Sequence, residues 1–216
     1  MRILVGCELS GRVRDAFIRN GHDAMSCDRE PTEVPGPHYQ GDVLDILDDG
    51  WDAAIFFPPC TYLTVSGLHR NKGNPIRAGK TVKAIEFVET LWNAPIPFIA
   101  IENPVGCLST RSTLGKPQEI IQPYWFGEDA SKTTCLWLKG FPLLKPTRFV
   151  VPRMVMDGEV KDIGKFRWSN QTDSGQNNLP PSDDRAKIRS QTYQGVADAI
   201  GQQWGSFLHS QAEAVA

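Results

Sequence analysis

No run of apolar residues in this chain comes near the ~18 needed to cross a bilayer, which excludes a spanning helix. No C-x-x-C pair occurs either. The five cysteines, Cys7, Cys27, Cys60, Cys107 and Cys135, are odd in number and widely scattered, which argues against both a disulfide framework and a zinc site. Charge of one sign is not in excess: 23 Lys and Arg face 25 Asp and Glu, so no global field advertises a polyanion. A local cluster of cations would still serve a nucleic-acid groove. Internal repeats and low-complexity blocks are missing, and Met1–Gly6 lacks the apolar run and cleavage site of a signal peptide. The expectation is a reduced, cytoplasmic protein with no membrane or metal partner.

What is present is ordinary for a globular protein: 40% hydrophobic and 22% charged residues over 216 positions, enough for one sizeable core. Arg2–Gly6 reads as a strand, followed by a helical pattern through Val13, Phe17 and Ile18 that Gly21 stops. His22–Asp28, Trp51–Phe57 and Pro97–Ile101 read as further strands, with Arg29–Gly41 a loop between the first two of these. Gly79–Asn93 carries apolar residues at helical spacing, and β-like segments follow at Ile120–Phe126 and Thr133–Leu138. Residues 139–181 read as long loops or a small irregular insertion. Asp183 caps one final helix to about His209, with Ser210–Ala216 frayed. Strands alternating with helices predict a single α/β domain over 1–216, with a mostly parallel sheet and helices on both faces.

Ligands of such sheets bind at the carboxyl ends of the strands, where the unusual residues fall. After the first strand comes Gly6-Cys7-Glu8-Leu9-Ser10-Gly11, which is not G-x-G-x-x-G. Its small residues admit a ligand close to the backbone, while Glu8 would repel a pyrophosphate and suits a cationic centre. Asp28 ends the second strand, 22 positions after Gly6, where a carboxylate meets ribose hydroxyls. Together they point to a nucleoside cofactor without phosphates, with Asp42 a third polar contact. In Phe57-Pro58-Pro59-Cys60 two prolines set a cysteine on a rigid tip, fit for attack on a soft, electron-poor carbon. Glu102-Asn103-Pro104 ends the fourth strand; if the third and fourth strands pair, Glu102 stands beside Cys60 as an acid of raised pKa.

These residues resemble the DNA cytosine-5 methyltransferases, in their short phage-type branch. Pro58-Pro59-Cys60 is similar to the family's Pro-Cys loop and Glu102-Asn103 to its Glu-Asn-Val motif. Cys7–Gly11, Asp28 and Asp42-Val43 resemble its cofactor contacts. Tyr193-Gln194-Gly195-Val196-Ala197 resembles its last motif, and Thr134–Leu138 the phage-type pattern. The resemblance implies a Rossmann-like fold and S-adenosylmethionine as cofactor, held by Gly6, Cys7, Glu8, Ser10, Gly11, Asp28, Asp42 and Pro58. It implies duplex DNA as partner and methylation at C5 of a flipped cytosine: Cys60 adds to C6, Glu102 serves N3, and Asn103 holds the Glu102 loop. Ser131-Lys132-Thr133-Thr134 stands where the family has Gln-x-Arg-x-Arg, and only 139–181 stands where it inserts a large target-recognition domain. Recognition is therefore expected to be short, relaxed or shared with a partner. The DNA surface implied is Lys132, Thr134, Lys165 and Arg167, within a basic stretch that includes Lys139, Lys145, Arg148, Arg153 and Lys161, with Trp137, Phe166 and Trp168 interleaved. Three other readings share these residues. One is a Cys-dependent transferase acting on a free nucleotide or moving a modified group. Another is an inactive nucleotide- or DNA-binding module. The third is an amino-group methyltransferase, whose Asp/Asn/Ser-Pro-Pro-aromatic loop the sequence does not reproduce.

Overall fold

The computed structural model describes residues 1–156, 164–182 and 184–215. The elements run β1 (Arg2–Gly6), α1 (Arg12–Arg19), β2 (Asp23–Asp28), β3 (His38–Gln40), β4 (Ala53–Phe56), α2 (Val65–Leu68), α3 (Pro75–Trp92) and β5 (Phe98–Pro104). They continue with α4 (Leu108–Arg111), β6 (Glu119–Ile121), β7 (Thr134–Lys139), β8 (Arg153–Val155), β9 (Lys165–Arg167), α5 (Arg185–Ser190), α6 (Gln194–Ala199) and α7 (Gly205–Val215). Seven strands form one sheet in the order β3-β2-β1-β4-β5-β7-β6, while β8 and β9 form a separate antiparallel ribbon. All pairings from β3 to β5 are parallel, and β7 runs antiparallel to both β5 and β6. This is a mixed α/β fold, its sheet mostly parallel with helices on both faces, as the sequence predicts.

Alternation along β1 divides the core. Ile3 and Val5 enter one apolar layer with Val13 and Phe17 of α1 and Val196, Trp204 and Leu208 of the C-terminal helices. Leu4 enters the other, with Ile85, Val88 and Leu91 of α3. Strands covered on both faces carry unbroken apolar runs, and all four residues of β4 are buried.

Several boundaries differ from expectation for identifiable reasons. The loop at 29–41 contains β3, whose His38, Tyr39 and Gln40 pair with Ser26, Cys27 and Asp28. Helix α3 begins at Pro75, not Gly79: the Asn74 side chain accepts from the Arg77 N–H and proline takes the first turn, so Gly79 falls inside the helix. β5 does not end at Ile101; antiparallel β7 pairs with it as far as Pro104, so Glu102 and Asn103 lie within a strand. The segment 120–126 is strand only to Ile121, with a 3₁₀ turn at Pro123–Trp125.

The final helix is broken. Gln191 turns extended after α5, and Arg12 donates to the Thr192 carbonyl at 2.7 Å. A π-helical stretch, Ile200–Trp204, joins α6 to α7, which runs through the expected tail to Val215. The Asp183 cap and Lys161 lie outside the described residues.

Candidate active site

β4 and β5 pair in the register Phe56↔Ile101, which brings the Phe57–Cys60 loop and Glu102-Asn103 together at the carboxyl edge. Asn103 is buried and its amide donates to the Pro58 carbonyl at 2.9 Å. It thus ties the strand end that bears Glu102 to the loop that carries Cys60. Lower down, the Cys107 N–H donates to the Leu63 carbonyl at 2.8 Å, and Thr64 bridges Gly106. Gly106 is required there, because a Cβ would lie 2.1 Å from the Leu63 oxygen. Helix α3 holds the other side of the loop: Thr81 donates to the Tyr62 carbonyl at 3.0 Å and Arg77 to the Thr61 carbonyl at 3.2 Å.

Cys60 is half-buried. Burial, and next the Glu102 carboxylate, push its thiol up; Lys132 and Arg189 pull the other way. Glu102 is raised in turn by burial, against the opposing influence of Lys132 and the Thr134 hydroxyl. A carboxyl that holds its proton can donate to a ring nitrogen. Glu102 lines a cleft with Phe57, Pro123, Lys132, Thr134, Thr192 and Tyr193.

At the ends of β1 and β2, Cys7 takes a left-handed backbone (φ 59°) that turns the chain off the strand. Glu8 and Ser10 are buried: Glu8 accepts from the Ser10 hydroxyl, and from the Gly11 N–H at 3.1 Å. The Glu8 carboxylate therefore braces the loop from within, and burial raises its pKa. Asp28 accepts from the Glu30 N–H at 3.0 Å through Oδ1. Asp42 caps the following 3₁₀ turn through the Leu44 N–H and pairs with Arg29 at 2.5 Å, which holds its carboxyl below the ordinary value. Burial, then Asp28, raise the Cys7 thiol, and Cys27 is pushed up to about 12 by burial and the same carboxylates. Cys7, Asp28 and Asp42 thus share one neighbourhood, as expected. Pro58 is buried behind Cys60, its carbonyl engaged by Asn103.

The expected DNA surface fares differently. Thr134 is 7% exposed and sits under Glu102, so it supports that carboxyl rather than facing solvent. Trp137 is a core residue whose indole donates to the Gly115 carbonyl. Lys139 lies at the opposite end of β7, level with Ile99, and donates to the Trp92 and Ala94 carbonyls. In the ribbon, Arg153 pairs with Asp173, and Arg167 donates to the Asp173 and Phe166 carbonyls. Lys165 stands beside them on β9, exposed.

A second basic face went unread in the sequence. Between Asp52 and Glu86 there is no acidic residue, yet His69, Arg70, Lys72, Arg77, Lys80 and Lys83 fall there. Arg70, Lys72, Lys80 and Lys83 are exposed and make no ion pair among the described residues. The stretch follows directly on Cys60. The signal was available as a long gap between acids. Arg189, brought to Cys60 by the broken C-terminal helix, had no such signal.

No protein-family model matches the chain, and no curated protein does. Among solved structures the chain is similar to an E. coli protein described as a "putative DNA modification methyltransferase encoded within prophage". The identity is 15% and the TM-score 0.44, over 64% of this chain and 46% of that one, so the match spans less than half of that protein's length.

Proposed function

We propose that this protein transfers a methyl group from S-adenosylmethionine to C5 of cytosine in DNA. The observation that carries the reading is one constellation: a cysteine on a proline-stiffened loop, the Glu102 carboxyl on the neighbouring strand with its pKa raised, and Lys132 lining the same cleft as Glu102. Few reactions need a thiolate and a neutral acid flanking one small planar site; addition to C6 of a pyrimidine does.

The ends of β1 and β2 fit the cofactor. They offer a tight, braced loop free of phosphate-binding glycines, and Asp28 has one carboxylate oxygen without a hydrogen-bond partner among the described residues, available to ribose hydroxyls. Gly6, Cys7, Ser10, Gly11 and Pro58 would border the cofactor, Asp42 through its shared position with Arg29, and Glu8 by shaping the loop. When bound, S-adenosylmethionine supplies an electrophilic methyl group.

The chain's own residues do the rest. A cytosine stacked in duplex DNA is out of reach and must be flipped into the cleft. Cys60, as thiolate, forms a bond to C6 while Glu102 gives its proton to N3, which places an electron pair at C5. C5 takes the methyl group; loss of the C5 proton then expels the Cys60 thiolate, and N3 returns its proton to Glu102, which restores the ring and the enzyme. Lys132 favours the thiolate, and Asn103 keeps the loop in place. The basic face at 69–83 and the exposed Lys165 supply phosphate contact, and the 139–181 insertion, small as it is, leaves room to read only a few base pairs. This chemistry belongs in a cytoplasm that holds DNA and reduced thiols.

The test is duplex DNA carrying 5-fluorocytosine, in which fluorine cannot leave as a proton does. With S-adenosylmethionine it should trap a covalent adduct on Cys60, which Cys60→Ser abolishes and Cys7→Ser or Cys135→Ser leaves intact. A Cys60→Ser variant that methylates cytosine normally would overturn the mechanism. Methylation of free nucleotides alone would replace DNA as substrate.

A further inference from the structure

The segment that carries Lys132 into the cleft is held from two sides. From the sheet, Gln122 accepts from the Lys132 N–H at 3.0 Å and donates to the Thr133 hydroxyl at 2.8 Å. From the ribbon, a single amide, Asn170, grips Ser131. It accepts from the Ser131 N–H at 3.0 Å and donates to the Ser131 carbonyl at 2.8 Å. The same nitrogen reaches the Tyr193 hydroxyl at 3.4 Å, and Tyr193 lines the cleft with Glu102 and Lys132. Asn170 belongs to a run, Trp168–Asn170, that docks the β8–β9 ribbon on the body. Trp168 stacks on Tyr124 with ring centres 4.3 Å apart, and Ser169 donates to Asp129 through both its N–H and its hydroxyl. Of the three, Asn170 bonds to Ser131, the residue before Lys132, and to Tyr193 itself.

We propose that Asn170 is a positioning residue that couples the seating of the β8–β9 ribbon to the placement of Lys132 and Tyr193 in the cleft beside Glu102. An amide offers a donor and an acceptor in one plane, which is what both groups of a single peptide residue require. When the ribbon is seated, Ser131 is fixed and Lys132 is held in the cleft, where its charge acts on Cys60. When the ribbon lifts, the segment keeps its bonds to Gln122 and the Thr134 hydroxyl but loses the Asn170 grip, and the cation is less firmly pinned. Binding on the ribbon is thereby read out as thiol reactivity some distance away. The inference rests on the cleft being the reacting site, but its main test needs no methyl transfer.

That test is the rate of Cys60 alkylation by iodoacetamide in the full-length protein, followed by site-resolved mass spectrometry from pH 7 to 9. The charged groups facing Cys60 are Glu102, Lys132 and Arg189, so loss of a pinned Lys132 lowers the thiolate fraction. Asn170→Ala should slow alkylation by about 3–10-fold at pH 8, the result of a rise of half to one unit in apparent pKa. Lys132→Gln should do the same, and the double variant should be no slower than Lys132→Gln. Asn170→Asp, which keeps the shape and the bond from the Ser131 N–H but loses the donor, should behave as Asn170→Ala. With DNA and S-adenosylmethionine, both variants should lower kcat by about tenfold while KM for DNA and cofactor affinity stay within twofold. Additive slowing in the double variant would overturn the coupling to Lys132. A lowered melting temperature with unchanged alkylation would make Asn170 a structural residue only, and a raised KM with unchanged kcat would make it a DNA contact. If the wild type transfers no methyl group, the functional reading fails while the alkylation result still decides the coupling.

Discussion

Replacing Gly106 by alanine isolates what the close approach behind the Cys60 loop contributes. The added Cβ would sit 2.1 Å from the Leu63 carbonyl oxygen, 2.9 Å from its carbon and 3.2 Å from the Thr64 Cα, all backbone atoms that cannot rotate away. Ordinary contact requires the two segments to part by about 1 Å. The Leu63 oxygen also accepts the Cys107 N–H, so that bond must stretch with the move. Leu63 in turn donates its N–H to the Cys60 carbonyl at 2.9 Å, so the displacement travels straight into the turn that carries Cys60. A ~1 Å misplacement of a reacting group costs about 100-fold in rate. Overpacking of this kind destabilises by ~1–3 kcal/mol, which lowers Tm by about 2–12 °C in a chain of this length. The expected outcome for Gly106→Ala is therefore a folded protein in which the proposed methyl transfer falls about 100-fold. Cofactor affinity by calorimetry should hold, because Asp28 and the β1 loop lie on other strands. Gly79→Ala is the companion control: its Cβ would meet nothing within 4 Å, and helix propensity predicts ~0.8–1 kcal/mol of stabilisation at unchanged rate. Full activity in Gly106→Ala would refute the argument, as would cofactor binding lost in step with the rate.

Glu102→Gln should lower the rate by ~10²–10⁴-fold while raising neutral-pH stability. Burial raises the folded pKa of Glu102, so ionisation favours the unfolded chain once pH passes its ordinary value near 4.5. The difference in Tm between Gln variant and wild type should be near zero below pH 4.5 and grow until the folded carboxyl itself ionises. Each pKa unit between the two states adds ~1.4 kcal/mol; a pH-independent difference would contradict the burial argument. Charge reversal at Lys80 or Lys83 should reduce the salt slope of DNA binding by about 1 each in a filter or anisotropy assay. Lys139→Gln should leave that slope unchanged but lower Tm, because its ammonium serves the Trp92 and Ala94 carbonyls.

Much of the site was legible in the one-dimensional pattern because its parts are local. Pro58-Pro59 after an apolar run stops a strand and stiffens the loop that leads to Cys60, and Asp28 ends β2 wherever β2 lies. Unbroken apolar runs identify strands covered on both faces, and periodic Ile85, Val88 and Leu91 identify α3. Those features depend on backbone sterics and side-chain spacing alone. What the chain could not declare were effects of partners distant in sequence. β7, antiparallel, prolongs β5 past Ile101 and turns Glu102 and Asn103 into strand residues. Asn103 meets Pro58 across 45 positions, and Asn170 meets Ser131 across 39. Lys139 and Trp137 looked like neighbours of a nucleic-acid surface, but they were assigned by an antiparallel register to the far end of the sheet and to the core. The C-terminal helix broke at Gln191–Tyr193 because Gly195 packs against the Phe126 carbonyl, where a Cβ would lie at 1.9 Å, and Arg12 holds Thr192. Local sterics and periodicity set which residues form strands, turns and helices; the pairing register, which depends on contacts across the whole chain, set which of their side chains meet.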